Sequence, residues 1–450
     1  MYKQGDTIFA ESTGAGRSAV TAFRISGPGA DPALSALCSG ELPPARVAGL
    51  FWLYDPASGE RLDQALAIRF PAPDSYTGEN IVELHVHGGR AVRLAMARVL
   101  GNLPGLRVAE PGEFAMRAFL AGKMDLTEAE GIADLVDADT EEQRRQAVRQ
   151  MGGALKGQYD AWRSRLVAAM AHFEAEIDFS DQPVPDGLAA EVRAEIRNLV
   201  GEMDGHLADD RRGERLREGV RVSLLGPPNA GKSSLLNVLA GRDAAIVSSV
   251  AGTTRDVVEV HLDLAGIPVV LSDTAGIREA EGEIEREGVR RAIKAAEDAE
   301  LRLVVLDGSA WPEVPPEIEP LFSDEAFVLV NKSDLLEQTD GLFLAGRTGG
   351  PVPRAISCRT GAGIDALSDD LTKVVADRYG LAGAPVMTRE RHRQAVQECR
   401  DNLGRFLEVD DIELAAEDLR LAVRALGRVT GRVDVEDVLD VVFRDFCIGK

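Results

Sequence analysis

Apolar residues change their spacing several times along this 450-residue chain, and each change predicts a different kind of structure. Over residues 1–120, short apolar runs sit between Gly- and Pro-rich turns such as Ser26-Gly27-Pro28-Gly29 and Pro71-Ala72-Pro73. Thr7–Ala10, Ala19–Ile25 and Ile81–His87 read as strands, and Gly88-Gly89 closes the last of them before a helix over Arg90–Leu100. From Glu113 to about Phe179 apolar positions recur every three or four residues with charges between them, which is a helical period. Residues 180–187 break it, and a second charged helix runs from Leu188 to about Leu216. Short apolar runs then return at Val222–Leu225, Ile267–Leu271, Leu303–Leu306 and Ala326–Val330, several of them separated by helical stretches. That alternation predicts a parallel sheet with crossover helices. The α/β unit ends near Tyr379, and residues 388–443 are helical again.

The expected fold is multidomain, α/β plus α. An N-terminal α/β domain covers residues 1–120, and a helical domain is split between 121–217 and 380–450. An α/β domain over 218–379, with a mostly parallel sheet and flanking helices, is inserted between the two helical parts, which are expected to pack together.

Composition narrows the function. The formal net charge is −23, so the overall field opposes nucleic acid, and any RNA contact needs a local basic patch or a basic partner. Cys38, Cys358, Cys399 and Cys447 lie too far apart for a metal or redox motif, which points to a reducing compartment. The first ten residues hold no apolar signal core, and no apolar run is long enough to span a bilayer. A cytoplasmic protein is expected.

The candidate chemistry lies in the inserted unit. Gly226-Pro227-Pro228-Asn229-Ala230-Gly231-Lys232-Ser233 follows a predicted strand and precedes a predicted helix, the setting of a phosphate-binding loop. Its glycines let backbone N–H groups turn towards phosphates, and the helix N-terminus adds a positive dipole end. Lys232 is placed for the β- and γ-phosphates and Ser233 for Mg²⁺. Gly252-Thr253-Thr254-Arg255-Asp256 offers a second Mg²⁺ hydroxyl at Thr254. Asp273-Thr274-Ala275-Gly276 ends a strand, with Asp273 holding Mg²⁺ through water and the Gly276 amide reaching the γ-phosphate. Asn331-Lys332-Ser333-Asp334 ends another. The Asp334 carboxylate accepts from both N1–H and the 2-amino group of guanine, whereas adenine presents an acceptor at N1 and is repelled. Ser357-Cys358-Arg359 completes the base pocket through backbone contacts. The set predicts a GTPase.

Hydrolysis needs a group to position water. Ile277 stands where many GTPases carry glutamine, so the role passes to one of Glu279, Glu281, Glu283, Glu285 or Glu287, among which spacing does not choose. Charge at the transition state calls for Arg255, Arg278 or a monovalent cation held by Asn229.

The motif Gly226-x-Pro228-Asn229-x-Gly231-Lys232-Ser233, the run from Ala251 to Asp256 and the terminal Phe446-Cys447-Ile448-Gly449-Lys450 together resemble the tRNA modification GTPase MnmE (TrmE) family. That family belongs to the TrmE-Era-EngA-YihA-Septin-like P-loop GTPases. Phe23-Arg24-Ile25-Ser26-Gly27, Tyr76-Thr77-Gly78-Glu79, His87-Gly88-Gly89, Pro111-Gly112-Glu113-Phe114 and Arg117-Ala118-Phe119-Leu120 extend the resemblance over essentially the whole chain. It implies that residues 1–120 bind a tetrahydrofolate derivative, 5-formyl or 5,10-methylene, and dimerise. It implies a homodimer whose G domains meet face to face with K⁺ bound. Asn229, Ser248, Val250 and Thr253 would be the K⁺ ligands, Glu285 the water-positioning glutamate, and Arg24, Glu83, Lys123 and Lys450 the folate site. It adds Ser234, Ser249 and Ala251 to the nucleotide contacts. An FAD-dependent MnmG-like protein would join a heterotetramer that places an aminomethyl or carboxymethylaminomethyl group on C5 of the tRNA wobble uridine.

Two features stand apart. Cys447 is expected to be a small buried residue, with a reactive thiol as the alternative. His85 and His87 share one strand face and are expected to be structural or to touch substrate, because no third metal ligand lies nearby. A ribosome-assembly switch GTPase is the competing reading; it calls for a basic RNA-binding module, and the sequence shows none. Asp334 disfavours an ATPase or kinase.

Overall fold

The computed structural model describes residues 5–14, 16–178, 188–209, 211–242, 245–246, 258–273, 299–316, 318–319, 322, 326–336, 352–380, 386–433, 439, 442–443, 446–447 and 449. The chain divides into two compact units. One comprises Met1–Ala133, Gln150–Leu199 and Glu398–Lys450; the other comprises Asp134–Arg149 and Val200–Gln397.

The chain begins with β1 (Thr7–Glu11), β2 (Val20–Ser26), α1 (Ala30–Leu37), β3 (Gly49–Tyr54), β4 (Arg61–Phe70), β5 (Ile81–His87), α2 (Arg90–Asn102) and β6 (Leu106–Val108). It continues through α3 (Glu113–Leu120), α4 (Leu126–Val136), α5 (Glu141–Met151), α6 (Ala154–Asp178), α7 (Leu188–Leu207) and α8 (Arg212–Glu218). Next come β7 (Val220–Leu225), α9 (Lys232–Arg242), β8 (Ala245–Ile246), β9 (Val258–Leu264), β10 (Ile267–Asp273), β11 (Leu301–Asp307), β12 (Ala326–Asn331), β13 (Arg354–Ala355) and α10 (Ile364–Tyr379). Helices α11 (Glu390–Glu408) and α12 (Ile412–Thr430) follow.

In the first unit the sheet order is β3-β4-β5-β2-β1-β6, with β1–β6 its parallel pair. Alternation on β2 and β5 sends Phe23, Ile25, Val82 and Leu84 into a core with Leu34, Leu37, Met96 and Leu100 from α1 and α2. The opposite face carries Arg24 and Glu83, which the antiparallel register sets side by side. Sequence patterning finds β1, β2 and β5 but misses β3 and β4. The apolar positions Leu62, Ala65, Leu66 and Ala67 of β4 imitate a helical spacing, and β3 is an edge strand that leaves Leu50 and Trp52 exposed.

A buried ion network fixes α3 against the sheet. Glu113 and Arg117 are only 1% and 2% exposed. Glu113 accepts from Arg107 of β6 at 2.6 Å and from Arg117 one turn on at 2.9 Å. Arg117 also donates to Glu79 at 2.9 Å and to the Asp6 carbonyl at 3.0 Å. Burial alone would raise the Glu113 carboxyl, but hydrogen bonds from Arg107, the Glu110 amide and Arg117 outweigh it and hold the pKa below its ordinary value. Gly112 caps the helix at φ 67°, and a Cβ there would come within 2.5 Å of the Phe443 carbonyl.

The helical stretch beyond Glu113 is broken into α3 to α6. Asp125 caps α4 by accepting from Thr127 Oγ1 and the Glu128 amide, each at 2.8 Å. Gly122 and Gly153 take left-handed turns on either side of α4 and α5. Helix α6 runs along α12. Phe173 and Phe406 meet edge to face at 5.2 Å, and Arg193 donates to the carbonyls of Phe406, Leu407 and Val409 at the end of α11. A guanidinium at that terminus satisfies orphan carbonyls and complements the helix dipole.

In the second unit the order is β13-β12-β11-β7-β10-β9-β8. Strands β7, β10, β11, β12 and β13 are parallel, while β9 folds back antiparallel on β10 through the Ala265-Gly266 turn and β8 pairs antiparallel with β9 at the edge. Val222, Leu224, Val269, Leu271, Leu303 and Leu329 fill a core covered by Leu235 and Leu239 of α9 and Leu367 and Leu371 of α10. The two chain crossings beside this sheet are stapled together. Arg393 donates to Asp209 at 2.5 Å, Glu214 at 2.8 Å and the Leu207 carbonyl at 2.8 Å. Asp134 accepts from both Arg217 and Arg389, at 3.1 and 2.7 Å.

Replacing Glu113 with Ala strips one partner from a buried charge and is expected to destabilise the protein by about 3–5 kcal/mol in denaturant titration. Because the folded pKa of Glu113 is depressed, its contribution is present above the ordinary carboxylate range and lost as pH falls through the folded value. The wild-type advantage over the mutant should therefore shrink in acid.

Candidate nucleotide site

Four strand ends meet at the carboxyl edge of the parallel sheet: Leu225 of β7, Asp273 of β10, Asp307 of β11 and Asn331 of β12. Open α/β sheets bind ligands at this edge. The loop between β7 and α9 carries the predicted phosphate-binding residues. Gly226 adopts φ 137°, and any side chain there would strike the Val305 carbonyl. Gly231, at φ 99°, leaves no room for a Cβ beside Asn331 Nδ2. Asn229 sits exposed at φ 61°, a left-handed position that Asn tolerates better than most residues.

Lys232 begins α9 and is buried. Its ammonium donates to the carbonyls of Gly226 and Pro227 at 2.8 and 2.9 Å. Burial lowers its pKa, opposed by the nearby Asp273 carboxylate. Ser233 Oγ donates to Asp273 Oδ2 at 2.7 Å, and Asp273 is 3% exposed. A hydroxyl and a carboxylate held together at the mouth of a phosphate loop are the hard oxygen donors that Mg²⁺ takes, usually with several waters retained. The residues present therefore fit Mg²⁺, with Ser233 as ligand and Asp273 beside it.

The base side is tied to the phosphate side by one amide. Asn331, 2% exposed, donates from Nδ2 to the Ala230 carbonyl at 2.9 Å and accepts at Oδ1 from the Cys358 amide at 3.1 Å. Lys332 takes a left-handed φ of 63° and pairs with Asp307 at 2.6 Å. Asp334 Oδ1 accepts from Ser357 Oγ at 2.5 Å, and Oδ2 pairs with Arg359 Nη2 at 2.5 Å. The Ser357 hydrogen bond, with Arg359 adding to it, holds the Asp334 carboxyl below its ordinary pKa. Asp334 therefore stays an ionised acceptor at neutral pH. Ser234 follows Ser233 on the exposed side of α9.

The structure thus brings together Asn229, Ala230, Gly231, Lys232, Ser233, Asp273, Asn331, Lys332, Asp334, Ser357, Cys358 and Arg359. Ser248, Ser249, Val250, Ala251, Gly252, Thr253, Thr254, Thr274, Ala275, Gly276, Glu285 and Lys450 lie outside the described residues, as do the neighbouring glutamates, Arg255, Arg278 and the break over 180–187. Sequence reading missed Asp307, whose signal was its place at the end of a sheet strand, and the bridging role of Asn331.

In the first unit Arg24 pairs with Glu83 at 2.9 Å and lies over the rings of Tyr76 and Phe114, at 5.3 and 5.7 Å. Lys123 is exposed beside the Gly78 turn, so one short segment, 76–78, lies next to both cations. Tyr76 and Phe114 were not singled out as site residues, although both sit inside motifs that were. The tail closes on β1: Ser12 Oγ donates to the Gly449 carbonyl at 3.2 Å, and Gly449 has no space for a Cβ against Glu11. Cys447, expected to be buried, is exposed, because Phe446 rather than Cys447 fills the pocket with Phe443 and Leu126. His87 bonds Asp63 at 2.8 Å and His85 lies 3.6 Å from Glu83.

The glycine-lined loop, its buried lysine, the serine–aspartate pair and the Asp334 carboxylate define a P-loop GTPase. A family model described as "MnmE helical domain" matches residues 126–447, and one described as "GTP-binding protein TrmE N-terminus" matches residues 7–123. The tRNA modification GTPase MnmE of Paramagnetospirillum magneticum is 55% identical, over 99% of this chain and all of its own length. The protein of the same name from Parvibaculum lavamentivorans is 54% identical over the same shares. The mitochondrial 5-taurinomethyluridine-[tRNA] synthase subunit GTPB3 of Rattus norvegicus is 47% identical, over 99% of this chain and 94% of its own. The chain belongs to the MnmE (TrmE) family of tRNA modification GTPases. Among the described residues no helix is long and apolar enough to cross a membrane.

Asp334→Asn replaces an acceptor oxygen with a donor facing N1–H and the 2-amino group. GDP affinity should fall roughly 10- to 100-fold, while the xanthine nucleotide, with oxygen at C2, gains relative to it. Isothermal titration with both nucleotides checks this, and unchanged GDP affinity would remove Asp334 from the base pocket.

Proposed function

We propose that this chain hydrolyses GTP to drive modification of the tRNA wobble uridine at C5, using a one-carbon unit from a tetrahydrofolate derivative. The observation that carries the GTPase half is the Asp334 carboxylate, anchored at one oxygen by Ser357 and linked through Asn331 to the phosphate loop. The tRNA half rests on membership of the family.

In this reading the backbone amides of residues 229–233 surround the phosphates. Lys232 exchanges its two loop carbonyls for β- and γ-phosphate oxygens, a charge-assisted replacement that favours binding. Ser233 and Thr254 ligate Mg²⁺, which when bound neutralises developing phosphate charge. Asn229, Ser248, Val250 and Thr253 hold K⁺, and the exposed, left-handed Asn229 at the loop tip supports that role. Glu285 orients the attacking water, because Ile277 has no polar group to do so.

The first unit takes the folate. Arg24 and Lys123 offer cations to the glutamyl carboxylates, the rings of Tyr76 and Phe114 offer stacking surface, and Glu83 and Lys450 complete the contacts. The division into domains follows: residues 1–120 bind folate and dimerise, 218–379 hydrolyse GTP, and 121–217 with 380–450 form the helical body. The protein works as a homodimer in the cytoplasm with an FAD-dependent MnmG-like partner. That partner supplies the basic tRNA-binding surface that a chain of net charge −23 lacks.

GTP turnover is expected to rise at least tenfold in KCl over NaCl at matched ionic strength. Glu285→Ala should lose about 10²-fold or more of turnover while GTP affinity stays within twofold. Titration with 5-formyltetrahydrofolate should saturate, and Arg24→Ala should abolish the binding. K⁺-independent turnover without folate binding would instead favour a switch GTPase with unrelated flanking domains.

A further inference from the structure

We propose that Arg359 gates the base pocket, its guanidinium contending with guanine for the outward oxygen of the Asp334 carboxylate. The inference rests on Asp334 as the base selector and adds a regulator to that same site.

The geometry is specific. Ser357 Oγ occupies Oδ1 of Asp334 at 2.5 Å and leaves Oδ2 as the free edge of the carboxylate. Arg359 Nη2 sits on that edge at 2.5 Å. Guanine approaches the carboxylate end-on, with N1–H on one oxygen and the 2-amino group on the other, so a guanidinium seated on that same end-on lone pair of Oδ2 takes the place of one of the base's two donors. The two partners differ sharply in freedom. The Asp334 side chain is 13% exposed and fixed at its other oxygen, whereas that of Arg359 is 73% exposed. Opening therefore means an arginine swing and leaves the aspartate in place.

An ion pair this exposed is weak, and rotamer exchange of an exposed side chain takes picoseconds to nanoseconds. Open and closed pockets then interconvert far faster than a nucleotide arrives. Under such a pre-equilibrium the observed association rate is the intrinsic rate multiplied by the open fraction, and affinity falls by the same factor. Dissociation is untouched, because with the base bound the guanidinium has already left. Arg359 would thus set how fast guanine enters without contributing to how long it stays. The Ser357 and Cys358 contacts remain in either state.

Stopped-flow association of N-methylanthraniloyl-GDP with the full chain tests this. Arg359→Ala should raise the association rate about two- to fivefold, with the dissociation rate changed less than twofold. Arg359→Lys should fall between the two, since an ammonium still pairs with Oδ2 but without the planar fork. In an Asp334→Asn background, followed with the labelled xanthine nucleotide, Arg359→Ala should no longer accelerate entry. Unchanged or slower association in Arg359→Ala, with wild-type circular dichroism and melting, would overturn the gate. Faster dissociation would overturn it too, by making Arg359 a residue that holds the base. Should Asp334→Asn leave GDP affinity intact, the base-selector reading fails first; should it weaken GDP while Arg359→Ala does nothing, the gate alone fails.

Discussion

The nucleotide site hangs on the side-chain amide of Asn331. Its two ends bridge loops that start from different strands, the phosphate loop through Ala230 and the 357–359 turn through Cys358. The bond to Ala230 is buried and the one from Cys358 is part-buried, so solvent competes little with the first, and losing it leaves a buried polar group without a partner. Asp334 sits three residues on, where Ser357 from that same turn aligns it. The distance between the phosphate end and the base end of the pocket is therefore set by one short, rigid connection. Gly231 belongs to the same joint, since the Asn331 amide fills the space its missing side chain leaves.

Much of this was legible in the sequence, because the motifs are local. A glycine loop between a strand and a helix, an aspartate closing one strand and Asn-Lys-Ser-Asp closing another need no knowledge of distant contacts. The Asn331 bridge could not be read, because its partners lie 101 and 27 residues away. Strand β4 escaped for a different reason: pairing across the sheet overrode a spacing that locally imitates a helix, whereas the aromatic run Leu50–Tyr54 of β3 did carry a strand signal. Strand β9 alternates Val258, Val260, Leu262 and Leu264 with polar residues, a strand pattern that a search for continuous apolar runs passes over, and β8 is only two residues long. Cys447 was misplaced because its neighbour Phe446, a far larger apolar group, takes the available pocket.

In the first unit, charge is used inside as well as on the surface. Arg107, Glu113, Arg117, Glu79 and Asp6 form a chain of ion pairs beneath the motifs that carry the family resemblance. Arg24 and Glu83 make a separate, half-exposed pair flanked by aromatic rings. The buried set holds α3 and the Gly78–Glu79 turn in register with the sheet. The Arg24–Glu83 pair stands outside that network, so it is not part of what holds α3 to the sheet.

Arg393 joins the chain on both sides of the large α/β insert, binding Leu207 and Asp209 before it from a position just after it. Seen from the outside, the insert is a closed parcel whose two strings leave through one knot. The chain that enters the α/β sheet at β7 and the chain that leaves it after α10 are held within one salt bridge of each other, both inside the second unit. Joining the chain across that pair by a few residues would turn the α/β sheet and its helices into a closed loop with a new start elsewhere, because its two ends already meet.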